Sequence, residues 1–163
     1  MNRRTGGSMG NPLWDYSLAT YSLDGVAPTC LELQDTFGLD VNLLLYAAWL
    51  AHRERRLSHV HLVELEAVIA DWRINVVMPL RALRRQLQGH PPAATILNEI
   101  KALELRAEQQ QQDMMYAFHQ RTVELPRASR PLQENLALVA QFFSPAHGSW
   151  GSGVTRLVTL LSV

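Results

Sequence analysis

The chain of 163 residues has a single cysteine, Cys30, so it can form neither an intrachain disulfide nor a cysteine-based zinc site. It has a single lysine, Lys101, beside fourteen arginines. That bias fits a GC-rich bacterial genome, or a need for bidentate anion binding. It has no excess of either charge: 15 basic and 15 acidic side chains give a formal charge of zero. A dedicated nucleic-acid binder or a basic membrane-surface protein would show a basic surplus, so neither is expected. No apolar run approaches the roughly 20 residues of a membrane-spanning helix. The longest, Leu43 to Ala51, is far shorter. Nothing near Arg3 and Arg4 reads as a secretory leader, because Trp14-Asp15-Tyr16-Ser17 breaks the following stretch. The expected location is cytoplasmic, which suits a lone reduced thiol. Catalytic signatures are lacking too. There is no glycine-rich phosphate loop, no HExxH, no GxSxG and no ExxH, so no metal or cofactor is expected. Strand-like alternation and internal repeats are equally missing.

What is present is helical periodicity. Hydrophobic residues make up 47% of the chain, enough for a real core. Asn11-Pro12 reads as a helix start, and Asp24-Gly25 as its stop. A second short helix runs from Val26 to Phe37 with Val26, Cys30, Leu33 and Phe37 as its stripe, closed by Gly38. Asp40 caps a third helix, 41–56, apolar nearly all round from Leu43 to Ala51 and so expected at the centre of a bundle. Ser58 opens a long helix, 59–88, with a heptad-like seam through Leu62, Leu65, Ile69, Trp72, Val76, Leu80, Leu83 and Leu87. Pro79 should kink that helix near Asn75 or split it in two. A further helix spans Ala93 to Arg121, with Ile96, Ile100, Leu103, Ala107, Met114 and Phe118 as its buried face and Gln109 to Gln112 mostly in solvent. Pro131 opens a last short helix to Phe143. The expectation is therefore an all-α, single-domain bundle of five to six helices over 11–143. Residues 1–10 form a disordered tail, and 144–163 a turn-rich linker and short apolar segment, helix or strand, with Trp150 exposed.

Zero net charge hides alternation. Residues 1–50 sum to −3, 51–90 to +3, 91–120 to −2 and the remainder to +2. Arg81, Arg84 and Arg85 cluster on one side of the long helix, with Arg73 two turns earlier. Two readings stand: a basic face that pairs with acidic segments of the same fold, or an anion-binding or acidic-partner site. Trp14, Tyr16, Asn42, Trp49 and Trp72 could line a cleft with Arg73, although aromatics at helical spacing are more often core. Asn42 otherwise supports capping by Asp40. His52, His59 and His61, with Glu64 and Glu66 nearby, read as surface histidines. His59 and His61 point about 200° apart on a helix, so they cannot chelate one ion. Cys30 reads as a buried structural thiol with no basic neighbour to activate it.

Gly38-Leu39-Asp40-Val41-Asn42-Leu43-Leu44-Leu45 resembles a known family. Leu13-Trp14-Asp15-Tyr16-Ser17-Leu18, Cys30-Leu31-Glu32-Leu33-Gln34-Asp35, Ala48-Trp49-Leu50 and the stretch from Trp72 to Arg85 agree with it. That family is a small, uncharacterised group of proteobacterial proteins classed as a domain of unknown function, and the resemblance spans residues 13–103. It implies a bacterial cytosolic helical protein without assigned activity, and supplies no catalytic residues. The functional expectation is a non-catalytic interaction or regulatory protein, whose partner is an acidic protein or, through the 62–87 seam, a second copy. The alternative is a small-molecule or lipid-binding bundle, or an enzyme on one, with a cleft near Trp14, Asn42, Trp72 and Arg73.

Overall fold

The computed structural model describes residues 10–146 and 148–162. The expectation for the N-terminal tail falls, apart from Gly10, outside them. Helix α1, Pro12–Tyr21, starts where its first free amides find a partner. The Asn11 side-chain oxygen accepts from the amides of Leu13 and Trp14 at 2.9 and 3.2 Å. Helix α2, Val26–Phe37, ends on Gly38, whose φ of 70° is a left-handed conformation that costs glycine little. Asp40 then caps α3, Val41–His52, by accepting from the Asn42 amide at 2.7 Å.

Every residue from Asn42 to Leu50 is buried, so α3 is the central helix. It ends four residues short of Arg56. Glu54 turns left-handed at φ 54°, and the backbone of Arg55 pairs with that of Arg127. The Arg56 amide donates to the Pro126 carbonyl at 3.0 Å. The polar stretch that sequence would append to α3 is thus spent on a crossing with residues 126–128.

The long helix is α4, His59–Trp72, and α5, Met78–Gln88, joined by a π-helical turn, Arg73–Val77. The Met78 amide donates to the Arg73 carbonyl, five residues back rather than four. Pro79 has no amide hydrogen, and its ring crowds the Asn75 carbonyl. The chain answers with a wider turn around Asn75 instead of a break. After a 3₁₀ turn at Pro91–Ala93 comes α6, Ala94–Arg121, then α7, Leu132–Phe143. A second 3₁₀ turn, Gly148–Trp150, leads into α8, Gly151–Leu161. With α4 and α5 taken as one rod, the described residues form seven helices, not five or six, and no strand.

The core lies around α3, which packs on α1 and α7, while α4 and α5 lie against α6. Leu13, Leu33, Tyr46, Leu62, Met115 and Leu136 are fully buried in it. Leu62, Leu65 and Ile69, the first half of the seam, are consumed there. Of the expected linker, residues 144–146 are non-helical and 148–153 helical; the apolar segment is helical, and α8 belongs to the same core through Val154 and Leu157, packed on α2 and α7. At Gly153 a Cβ would lie 2.7 Å from a methyl of Leu33, so only glycine allows that approach. Trp150 is half-buried, its indole N–H donating to the Ser144 carbonyl at 3.2 Å. Asn135 on α7 joins distant elements. It accepts from the Leu57 amide at 2.9 Å and donates to the carbonyls of Ala47 at 3.2 Å and Arg55 at 2.9 Å.

Candidate functional site

The arginines of the long helix are all paired inside the fold. Arg73 forks onto Glu66, donating at 2.6 Å to one oxygen and also to the other, and reaches Asp40 at 3.4 Å. Its guanidinium lies 5.2 Å from the centre of the Phe143 ring. Arg81 donates to Glu108 at 3.0 Å, and Arg84 to Glu104 at 2.5 Å. Arg85 pairs with Asp35 where both are half-exposed. Apart from Glu66, the acids come from the two negative segments that flank the basic one in sequence.

Asp40 carries more than its cap. Its second oxygen accepts from the Gln111 amide at 2.8 Å, while Gln112 donates to the Asn42 oxygen at 2.9 Å. Asn42 is therefore buried and bonded to α6, not merely an aid to capping. Gln111 and Gln112 were expected in solvent and are buried instead, because the start of α3 offers them acceptors. The buried line of α6 is Glu104, Ala107, Gln111, Met115 and Phe118. Ile96 and Leu103, expected on that face, are exposed. The available signal was the spacing: Gln111 stands four residues after Ala107 and four before Met115.

Beside this network lies a half-open cavity of about 290 Å³ between α1, α2, α3, α5 and α6. Trp14, Val41 and Leu45 form apolar wall. Leu18, Leu31 and Leu105 are also in it, yet are 49%, 40% and 50% exposed, so they form the mouth. Arg81, Arg84, Glu104 and Glu108 supply charge of both signs. Burial holds the Glu108 carboxyl above its ordinary range despite Arg81, and pushes the Tyr21 phenol up to about 12. Ser17 and Gln112 also line the cavity; the Ser17 hydroxyl and the Gln112 oxygen, like the Gln111 oxygen outside it, are sealed from solvent and have no hydrogen-bond partner.

The aromatic residues expected to share one cleft are separated. Only Trp14 lines this cavity, with Asn42 just behind Gln112. Trp72 sits on a shallow groove over the outer side of α6, its indole N–H donating to the Ala107 carbonyl at 2.9 Å. Tyr16 packs on His52, with ring centres 5.4 Å apart. Trp49 meets His119 edge-on at 4.8 Å. There the buried Tyr46 hydroxyl lies 2.7 Å from His61 Nε2 and 3.2 Å from His119 Nδ1. A hydroxyl donates once, so one imidazole accepts from Tyr46 and the other donates to it. Burial, with Arg53, His61 and Arg55 nearby, lowers the His119 imidazole to about 4, and burial lowers that of His61 too. His61 is therefore a core histidine rather than a surface one. Cys30 is fully buried, its thiol pushed up to about 12 by burial, and is inert.

Fold and cavity together define a helical domain with a small amphipathic pocket walled by its N-terminal two-thirds. The chain belongs to the family described as Protein of unknown function (DUF2390), whose model matches residues 12–115. Every residue lining the cavity falls within that span, whereas α7 and α8 lie outside it. No curated protein and no solved structure matches the chain.

Proposed function

We propose that the chain is a non-catalytic small-molecule-binding domain with the cavity bounded by Trp14, Leu45 and Gln112 as its site. The observation that carries this reading is the half-open cavity of about 290 Å³, with an apolar wall at Trp14, Val41 and Leu45 and a few charged groups converging on it. The internal pairing of Arg73, Arg81 and Arg84 supports this over an acidic partner on the arginine face. The proposal takes the protein to be bacterial and cytosolic, on the family resemblance and the lone buried thiol. No described helix is long and apolar enough to cross a membrane.

The test is a thermal-shift screen of small metabolites on the full chain and on Leu18→Trp. Leu18 is half-exposed at the mouth, so an indole there fills the opening at little cost to the fold. Ligands that raise the melting temperature of the wild type and not of Leu18→Trp are expected. A screen in which every shift survives Leu18→Trp, or in which none occurs, overturns the proposal.

One observation favours an interaction surface as a second reading. Helix α5 buries no residue, and Ile74, Met78, Leu83 and Ile96 are exposed along the arm it forms with the start of α6. Sedimentation at rising concentration tests whether a second copy covers that arm. A single monomeric species throughout rules out self-association.

A further inference from the structure

Where α3 ends, a second half-open cavity of about 380 Å³ is lined by Trp49, Arg53, Arg55 and residues at and after the end of α6. It shares no lining residue with the first cavity. Its charges do not balance. Arg55 is committed, donating to Glu124 and, at 3.0 Å, to the Leu125 carbonyl. Arg53 is exposed, and among the described residues it pairs with no carboxylate. Its guanidinium is held 4.9 Å from the centre of the Trp49 ring. His119 is neutral in the physiological range and adds no charge. The wall therefore carries one surplus positive charge. The carbonyls of Trp49, Leu50 and Ala51 at the end of α3, and of His119 near the end of α6, each accept from a backbone amide, so they present no free acceptor there.

A second donor stands beside Arg53. Trp49 is only 3% exposed, and its one polar atom is the indole N–H. That N–H has no hydrogen-bond partner among the described residues, yet it is not sealed from solvent. It is a donor without an acceptor, on a nearly buried residue of the cavity wall. An indole N–H never accepts, so what satisfies it must be an acceptor.

We infer that this cavity binds a small organic monoanion, a carboxylate on an apolar body, with Arg53 and the Trp49 N–H as its donors. A carboxylate has two oxygens and can accept from both groups. One negative charge cancels the surplus, whereas a cation is repelled by Arg53. The body lies against Tyr116 and Val123, which line the same cavity. Val123 is 90% exposed, and covering it takes apolar surface out of water. This inference stands apart from the first cavity and survives if that reading fails.

The experiment is an NMR titration of the full chain with phenylacetate, phenylacetamide and phenethylammonium, which share a phenyl body and differ in charge. Phenylacetate is expected to bind saturably, to shift the Trp49 indole N–H signal, and to bind about fivefold or more tighter than the other two. Arg53 is exposed, so its replacement keeps the fold. Arg53→Gln should weaken phenylacetate about fivefold or more, and Arg53→Lys, which keeps the charge, should weaken it less. Leu18→Trp, at the mouth of the other cavity, should change nothing. No saturable binding of phenylacetate overturns the inference, as does equal binding of phenylacetamide. Binding that Arg53→Gln leaves intact, or that Leu18→Trp abolishes, places the anion elsewhere and overturns it too.

Discussion

Asp40 accepts from the first amides of α3, from Gln111 on α6 and from Arg73, so three elements meet on one carboxylate. Asp40→Ala removes a cap, worth about 1 kcal/mol, and leaves a buried amide unpaired, worth about 1–3 kcal/mol more. A loss of about 2–4 kcal/mol in urea unfolding is expected, and a loss under about 1 kcal/mol would show that the network carries little. Ser17→Ala should leave the melting temperature unchanged or higher, since its hydroxyl is buried without a partner. His119 gives the fold an acid limb. Its imidazole is held down to about 4, whereas the unfolded chain takes up the proton near 6.5. Between these values the unfolded state binds more protons, so this contribution is complete above about pH 6.5 and is lost as pH falls toward about 4. His61 acts in the same direction, and Glu108, shifted upward, in the opposite one. His119→Gln should flatten the dependence of the urea midpoint on pH between 6.5 and 4, and an unchanged slope would place its source elsewhere. At this scale the caps were legible in sequence, because a cap is read within three residues. Gln111 showed only in its spacing from Ala107 and Met115, and Gln112 not at all. A polar run reads as solvated unless its acceptors are known, and theirs stand some seventy residues away.

Elements were read well where their limits are local. Asn11, Asp40 and Ser58 start helices, and Gly38 ends one, as their chemistry requires. The end of α3 was misread because the segment that draws Arg55 and Arg56 away lies beyond Leu125, out of reach of any local rule. Pro79 announced an irregularity near Asn75, but the choice of a π-turn over a break depends on packing against α6. Helix α8 had no clear period, since its small residues serve close approach rather than a stripe. Gly153→Val should reveal that approach. The added methyls must displace Leu33, and overpacking of this kind costs about 1–3 kcal/mol. Thermal unfolding measures it, and an unchanged melting temperature would mean that α8 is not held tightly against α2.

For the whole molecule, zero net charge proves to be a packing arrangement. The positive segment lies between the two negative ones and pairs with both, through Asp35 and Asp40 on one side and Glu104 and Glu108 on the other. Segment sums in the sequence allow that pairing as one of two readings of the basic face. The cavity was invisible, because its wall is assembled from five helices and from residues as far apart as Trp14 and Gln112. The family match ends within α6, yet Phe118, Leu125, Leu136 and Val139 belong to the same core, and Asn135 bonds the end of α3. A fragment limited to residues 12–115 should therefore lack a cooperative thermal transition by circular dichroism, whereas the full chain shows one. Cooperative melting of the fragment would make α7 and α8 an appendage. The π-turn at Arg73–Val77 also reaches across the molecule. Each residue advances an α-helix by about 100°, so the additional residue in the widened turn resets the angular phase of everything after it. The seam that faces the core along α4 is carried off the core in α5, and the bearing of Arg81 and Arg84 toward the cavity is set two turns upstream, by a residue that touches neither.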